Sequence, residues 1–224
     1  MNFESEFRQI GDADVTDIKK LIQDLKPEAW SKTPLIPGDE AFKDIDTLYL
    51  AWDSDLRHVN PTRHPMLATF SSPLRSIFQQ VADFYEGAIQ WRTFFERFGQ
   101  GFFIRANFVR LGAGKAITAH RDKAFSLVHS HQIHVPVRTS DDVVFTIGDV
   151  AMNMLEGEIV EINNRLAYSL ENKGQDDCIH LILDWVVPGE PCCCAVHTHP
   201  GVPCSPQACE KTDQQESQCD CLNR

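Results

Sequence analysis

Cysteine is absent from this 224-residue chain until Cys178. A disulfide framework therefore cannot organise its body. No stretch approaches the ~20 apolar residues that a helical membrane span requires. Basic residues are in deficit: 21 Lys and Arg against 32 Asp and Glu give a formal charge of −11. That balance excludes a phosphate backbone or an anionic membrane as the main partner. The opening MNFESEFRQIGDADV is polar and acidic and has the character of neither a signal nor a transit peptide, so a cytoplasmic protein is the expectation.

The hydrophobic fraction of 42% is ordinary for a globular protein. The length suits one domain with appendages and permits a substantial core. Three segments differ in texture. Residues 1–100 are mixed α/β. A short amphipathic helix is expected through DIKKLIQDLK, capped by Asp14 or Thr16, with Ile18, Leu21, Ile22 and Leu25 at helical spacing. A strand is expected at Phe42–Trp52, and a helix at Ser72–Ala88 begins on Ser-Pro. Residues 101–187 consist of short β-like runs (FFIRANFVRL, SLVHSHQIHVPV, VVFTIG, EIVEIN, CIHLILDWVV) separated by turn-forming breaks, the pattern of a sandwich or barrel. Residues 188–224 are rich in Gly, Pro, Ser, Gln and Cys.

That tail holds Cys192, Cys193, Cys194, Cys204, Cys209, Cys219 and Cys221, with His197 and His199 between them. The spacing matches no zinc finger, whose paired ligands recur two to four residues apart. Thiols and imidazoles in this number suit a soft metal such as zinc or cuprous copper. The plainer alternative is an unstructured, redox-labile extension.

Within the β-rich segment, His120 and Asp122 stand two apart. On an extended backbone an imidazole and a carboxylate at that spacing share one face. Alone this is a weak metal signal, because the pair occurs in many unrelated proteins. His129, His131 and His134 stand close enough together to suit a second metal site; on the plainer reading the first two are a polar strand end. His134, set among apolar residues before Pro136, reads as the inward one. Cys178 is either a small buried residue or a soft ligand, and the former is the usual case.

The run Arg105–Trp185 resembles the aspartyl/asparaginyl β-hydroxylase family through RANFVRLGAGKAITAHRD, IHVPV, LEGEIVEINN, YSLEN and DDCIHLILDW, taken in order. The resemblance implies a mainly β fold with flanking helices around a double-stranded β-helix (jelly-roll, cupin-like) core. It implies an Fe(II)- and 2-oxoglutarate-dependent hydroxylase, with iron at the barrel mouth. His120 would be one iron ligand and Asp122 the carboxylate ligand, and His134 would lie near the 2-oxoglutarate pocket. The substrate would be a small molecule or a peptide or protein side chain.

Two positions depart from that pattern. Tyr168 stands where the family has its distal iron histidine, and Cys178 where it has the arginine that pairs with the far carboxylate of 2-oxoglutarate. Tyr168 is the remaining candidate third ligand, with His180 a substitute. Arg165, Arg110 or Arg138 would replace the lost arginine only by pointing into the barrel. The expectation is an oxygenase with altered metal or co-substrate use. The alternative is a catalytically inactive relative that acts as a binding module, with the tail sensing metal or redox state.

Overall fold

Apolar–polar alternation along the second half of the chain resolves into two antiparallel sheets in the computed structural model, which describes residues 5–32, 40–54, 56, 61–122, 125–164 and 166–190. The chain runs β1 (Phe7–Asp12), α1 (Thr16–Gln23), β2 (Ile45–Trp52), β3 (Thr62–Arg63), α2 (Met66–Gly87), α3 (Ile89–Phe98), β4 (Phe102–Leu111) and β5 (Ala116–His120). It continues through α4 (Phe125–Val128), β6 (His131–Arg138), β7 (Val143–Ile147), β8 (Val150–Met152), β9 (Glu158–Ile162), β10 (Tyr168–Asn172) and β11 (Cys178–Val186). The larger sheet is ordered β1-β9-β6-β11-β4-β2-β3 and the smaller β5-β10-β7-β8. This is a mainly β, double-stranded β-helix fold with helices on the outside.

Period-two alternation divides each central strand between two environments. On β11, Ile179, Leu181, Leu183 and Trp185 face the helices, and His180, Ile182 and Asp184 line the space between the sheets. On β6, Ile133, Val135 and Val137 join the helical core while Gln132 and His134 face inward. On β4, Ala106 and Phe108 pack outward against the helices, and Arg105, Asn107, Val109 and Leu111 line the interior.

The helices depart from expectation in informative ways. α1 forms where expected, but its N-cap is Val15, and Asp14 serves by accepting the Thr16 N–H at 2.9 Å. α2 starts six residues before Ser72 and carries Pro73 in its interior. The Ser-Pro pair is thus not its start. The apolar stripe of Leu74, Ile77, Val81 and Tyr85 continues upstream to Phe70, and burial of that ring outweighs the hydrogen bond that proline forfeits. Phe42 belongs to a 3₁₀ turn, Glu40–Phe42, ahead of β2. SLVHSHQIHVPV is not one strand either: its first part closes α4 and a turn, and β6 begins at His131.

The amino-terminal strand β1 pairs with β9 and is pinned beside Gly157, whose φ of 86° suits glycine. A Cβ there would sit 2.2 Å from the Ala13 carbonyl oxygen. No helix among the described residues is long and apolar enough to cross a membrane.

Candidate functional site

Strands β5 and β10 carry the residues closest to the expected metal centre. Tyr168 pairs across the ladder with His120, and their rings lie 4.4 Å apart between centroids. Asp122 follows two residues beyond His120. The Tyr168 hydroxyl donates to its carboxylate, 3.3 Å from each oxygen. His120, Asp122 and Tyr168 therefore converge. His120 Nδ1 lies 2.8 Å from the Thr118 carbonyl oxygen, which can only accept. In the neutral ring this puts the proton on Nδ1 and the lone pair on Nε2, the tautomer that metal-ligating histidines adopt. Phe42 packs edge-on against the same ring.

Tyr168 is a phenol and not a phenolate. Burial first, and the Asp122 carboxylate second, hold its pKa well above the ordinary value of 10.0. The proton it keeps is the one it donates to Asp122.

Behind this trio lies a second polar string. His134 Nε2 is 3.3 Å from Gln132 Oε1, and His134 Nδ1 is 3.4 Å from His180 Nδ1. Burial depresses both histidines, His134 well below 6.5, with His180 adding repulsion, and His180 to about 4. Both are neutral at physiological pH. His134 is inward, as its sequence context implied, and His180 shares the cavity with it.

These groups line a cavity of about 60 Å³ whose walls are chiefly Phe42, Ile45, Trp52, Val109, Ile117, Phe145 and Leu170. Among the described residues one cation lines it, Arg105, fully buried. Its Nε donates to Asp184 at 2.8 Å, its Nη1 to Ser126 Oγ at 2.6 Å and its Nη2 to Ser130 Oγ at 2.9 Å. Asp53 lies 3.7 Å away. Arg105 was not singled out in the sequence. An arginine alternating with apolar residues on a central strand was the available signal.

Cys178 sits at the far end of β11, buried, and lines a separate surface cleft with Arg138 instead of the cavity. Burial, then Asp177, raises its thiol to about 12, so it offers no charge. Arg110 points outward, donating through Nε to Asp46 Oδ2 at 3.2 Å and lying over Trp30. Neither Arg110 nor Arg138 reaches the cavity. Arg165, the tail cysteines, His197 and His199 lie outside the described residues.

His131 begins β6 and His129 lies just before it, as a polar strand end would, and both are buried. His131 is held between two carboxylates on the helix-facing side of β6, Nδ1 at 2.6 Å from Glu161 and Nε2 at 2.8 Å from Glu190. Arg8 also pairs with Glu161, and Trp91 Nε1 donates to Glu190 at 3.0 Å. This hub was missed because its partners lie far away in sequence.

Two antiparallel sheets enclosing an inward-facing polar cluster form a double-stranded β-helix, a fold that oxygenases dependent on 2-oxoglutarate and Fe(II) share. The family profile described as aspartyl/asparaginyl β-hydroxylase matches residues 79–188. A 2OG-Fe(II) oxygenase-family protein from Burkholderia pseudomallei shares 14% identity over 89% of each chain, with a TM-score of 0.61. The α-ketoglutarate-dependent epimerase SnoN of nogalamycin biosynthesis gives 0.54 at 11% identity, covering 90% of this chain and 91% of its own. A Pseudomonas putida prolyl-4-hydroxylase gives 0.52 at 8% identity over 83% of this chain and 95% of its own. At these identities the likeness establishes the fold alone. No curated protein matches the sequence.

The residues present fit the family's iron in part and its co-substrate poorly. Iron of this type takes two histidines and one carboxylate on one face. Here His120 and Asp122 supply one of each, and the third side chain that converges on them, Tyr168, is a protonated phenol. No group of three or more His, Cys, Asp or Glu side chains forms a metal site among the described residues. A dicarboxylate needs a cation at its far end, whereas Arg105, the one arginine on the lining among the described residues, is spent on Asp184, Ser126 and Ser130.

Proposed function

We propose that this chain keeps the oxygenase barrel as a binding module for a small molecule and does not turn over 2-oxoglutarate. The observation that carries this reading is the commitment of Arg105. Its guanidinium is enclosed by Asp184, Asp53, Ser126 and Ser130. Asp122 and Asp184 also line the cavity. A second carboxylate buried there without a partner would cost several kcal/mol, and a neutral thiol at Cys178 does not offset that.

The test is anaerobic reconstitution of the full chain with Fe(II) and 2-oxoglutarate, followed by exposure to oxygen and quantification of succinate. Succinate at the level formed by free iron is the expected result. Succinate well above it, abolished by His120→Ala, overturns the reading.

A second reading has its own support: His120, Asp122 and Tyr168 converge, and His120 has the tautomer of a metal ligand. It describes an oxygenase of the β-hydroxylase type in which tyrosine replaces the distal histidine, acting on a small molecule or a side chain. The tail's proposed binding of zinc or copper is separable from both. Metal content of the full chain, compared with a chain ending at Glu190, assigns any bound metal to barrel or tail.

A further inference from the structure

The hydrogen-bond string behind the cavity has a direction, and it ends on an acceptor. Gln132 Oε1 can only accept, so His134 Nε2 carries a proton and His134 Nδ1 a lone pair. His180 Nδ1 must then donate to His134 Nδ1, which leaves the His180 lone pair on Nε2. That atom is buried and has no hydrogen-bond partner among the described residues, while the His180 ring lines the cavity. A buried acceptor left unsatisfied costs about 1–3 kcal/mol, so it calls for a donor.

Resting on the binding-module reading above, we propose that the cavity takes a small neutral molecule with an apolar body and a single O–H or N–H donor, which bonds to His180 Nε2. The walls select the body: Phe42, Trp52 and Phe145 offer ring surfaces. The polar residues select the charge. Two carboxylates on the lining disfavour an anion, and desolvating an ammonium between apolar walls disfavours a cation. A phenol or a short alcohol has the required chemistry.

The test uses the full chain and p-cresol, toluene and 4-methylbenzoate, which share a ring and differ in their polar group. Binding is measured by calorimetry and by 15N NMR of the histidine side chains. The expected order is p-cresol first, toluene weaker by up to about tenfold, and 4-methylbenzoate weakest. The His180 Nε2 resonance shifts with p-cresol and not with toluene. His180→Leu abolishes the preference for p-cresol over toluene while retaining toluene binding. Equal binding of p-cresol and toluene, tighter binding of the benzoate, or an unmoved His180 resonance each overturns the proposal. Because the NMR arm uses unmodified protein, a variant that fails to fold does not shield it. The succinate assay on the same sample separates the two levels: no turnover and no preference removes this inference alone, whereas turnover removes the reading beneath it.

Discussion

Replacing His131 with alanine isolates a buried electrostatic cluster outside the cavity. The wild-type ring is an imidazolium: burial alone would lower its pKa, but Glu190 and Glu161 raise it above 6.5. The two carboxylates respond in kind. Burial would raise them, yet His131 pulls Glu161 below 4.5 and Glu190 to about 2. Removing one partner from a buried ion pair costs ~3–5 kcal/mol, because the remaining charge is left uncompensated. His131→Ala removes the cation that the two carboxylates share. Glu161 retains Arg8, and Glu190 retains the Trp91 indole N–H among its donors. The expected loss is therefore within that range. Domains of ordinary stability have ~5–15 kcal/mol in total, so the variant should be marginal. Urea denaturation at pH 6 followed by tryptophan fluorescence measures it, Trp91 being part of the cluster. A loss below ~1 kcal/mol would refute the reasoning and show that the cluster behaves as if solvated.

The same cluster fixes a pH profile. The folded pKa of His131 is raised, so its contribution is complete below 6.5 and is lost as pH climbs through the folded value. Glu161 and Glu190 are depressed, so their contributions are complete above 4.5 and are lost as pH falls through the folded values, about 2 for Glu190. Stability from this source should form a plateau between about 4.5 and 6.5 and decline on the alkaline side. His131→Ala should flatten that decline.

Arg105→Met leaves Asp184 and Asp53 buried without their cation and should cost ~3–5 kcal/mol in guanidinium denaturation. Arg105→Lys, which keeps the charge but loses the fork of donors, should cost less. Gly157→Ala must adopt a φ of 86° and meet the Ala13 carbonyl oxygen at 2.2 Å; strain of at least ~2 kcal/mol should lower Tm by roughly 4–8 °C in a chain this size. Tyr168→His restores a two-histidine, one-carboxylate set with His120 and Asp122. Anaerobic Co(II) titration by visible absorption should then show at least about tenfold tighter binding than wild type, the equivalent of one added hydrogen bond to a charged group. No gain would mean that Tyr168 does not occupy the third ligand position.

The fold was legible where periodicity is local. The alternation along Phe102–Leu111 and Cys178–Val186 identifies β4 and β11 directly, because each strand packs helices on one face and the cavity on the other. The start of α2 was obscured by Pro73, since a proline in a first turn and one tolerated inside a well-buried helix look alike in sequence. α3, Ile89–Phe98, was not read at all: among its residues only Trp91 is buried, so its apolar signal is thin. The hub at His131 could not be read from spacing, because its ion pairs join residues 30 and 59 positions apart.

The site was legible in a different sense. His120 and Asp122 are two apart and needed only an extended backbone to converge, and Tyr168, singled out by its place in the family pattern, arrives through the β5–β10 ladder. What sequence could not supply was the balance of charge around them. Cys178 reads as a missing arginine, which invites a search for a replacement nearby, and Arg165, Arg110 and Arg138 were the natural candidates. The cavity does contain an arginine, but Arg105 enters from β4, already bound to Asp184 from the facing strand. A cation that neutralises its own neighbours cannot also anchor a dianion without leaving those neighbours charged and buried. Restoring arginine at Cys178 is therefore not equivalent to borrowing Arg105. A Tyr168→His, Cys178→Arg double variant, with Arg105 untouched, should gain 2-oxoglutarate-dependent succinate formation; no gain in that assay would refute the assignment of the deficit to those two positions.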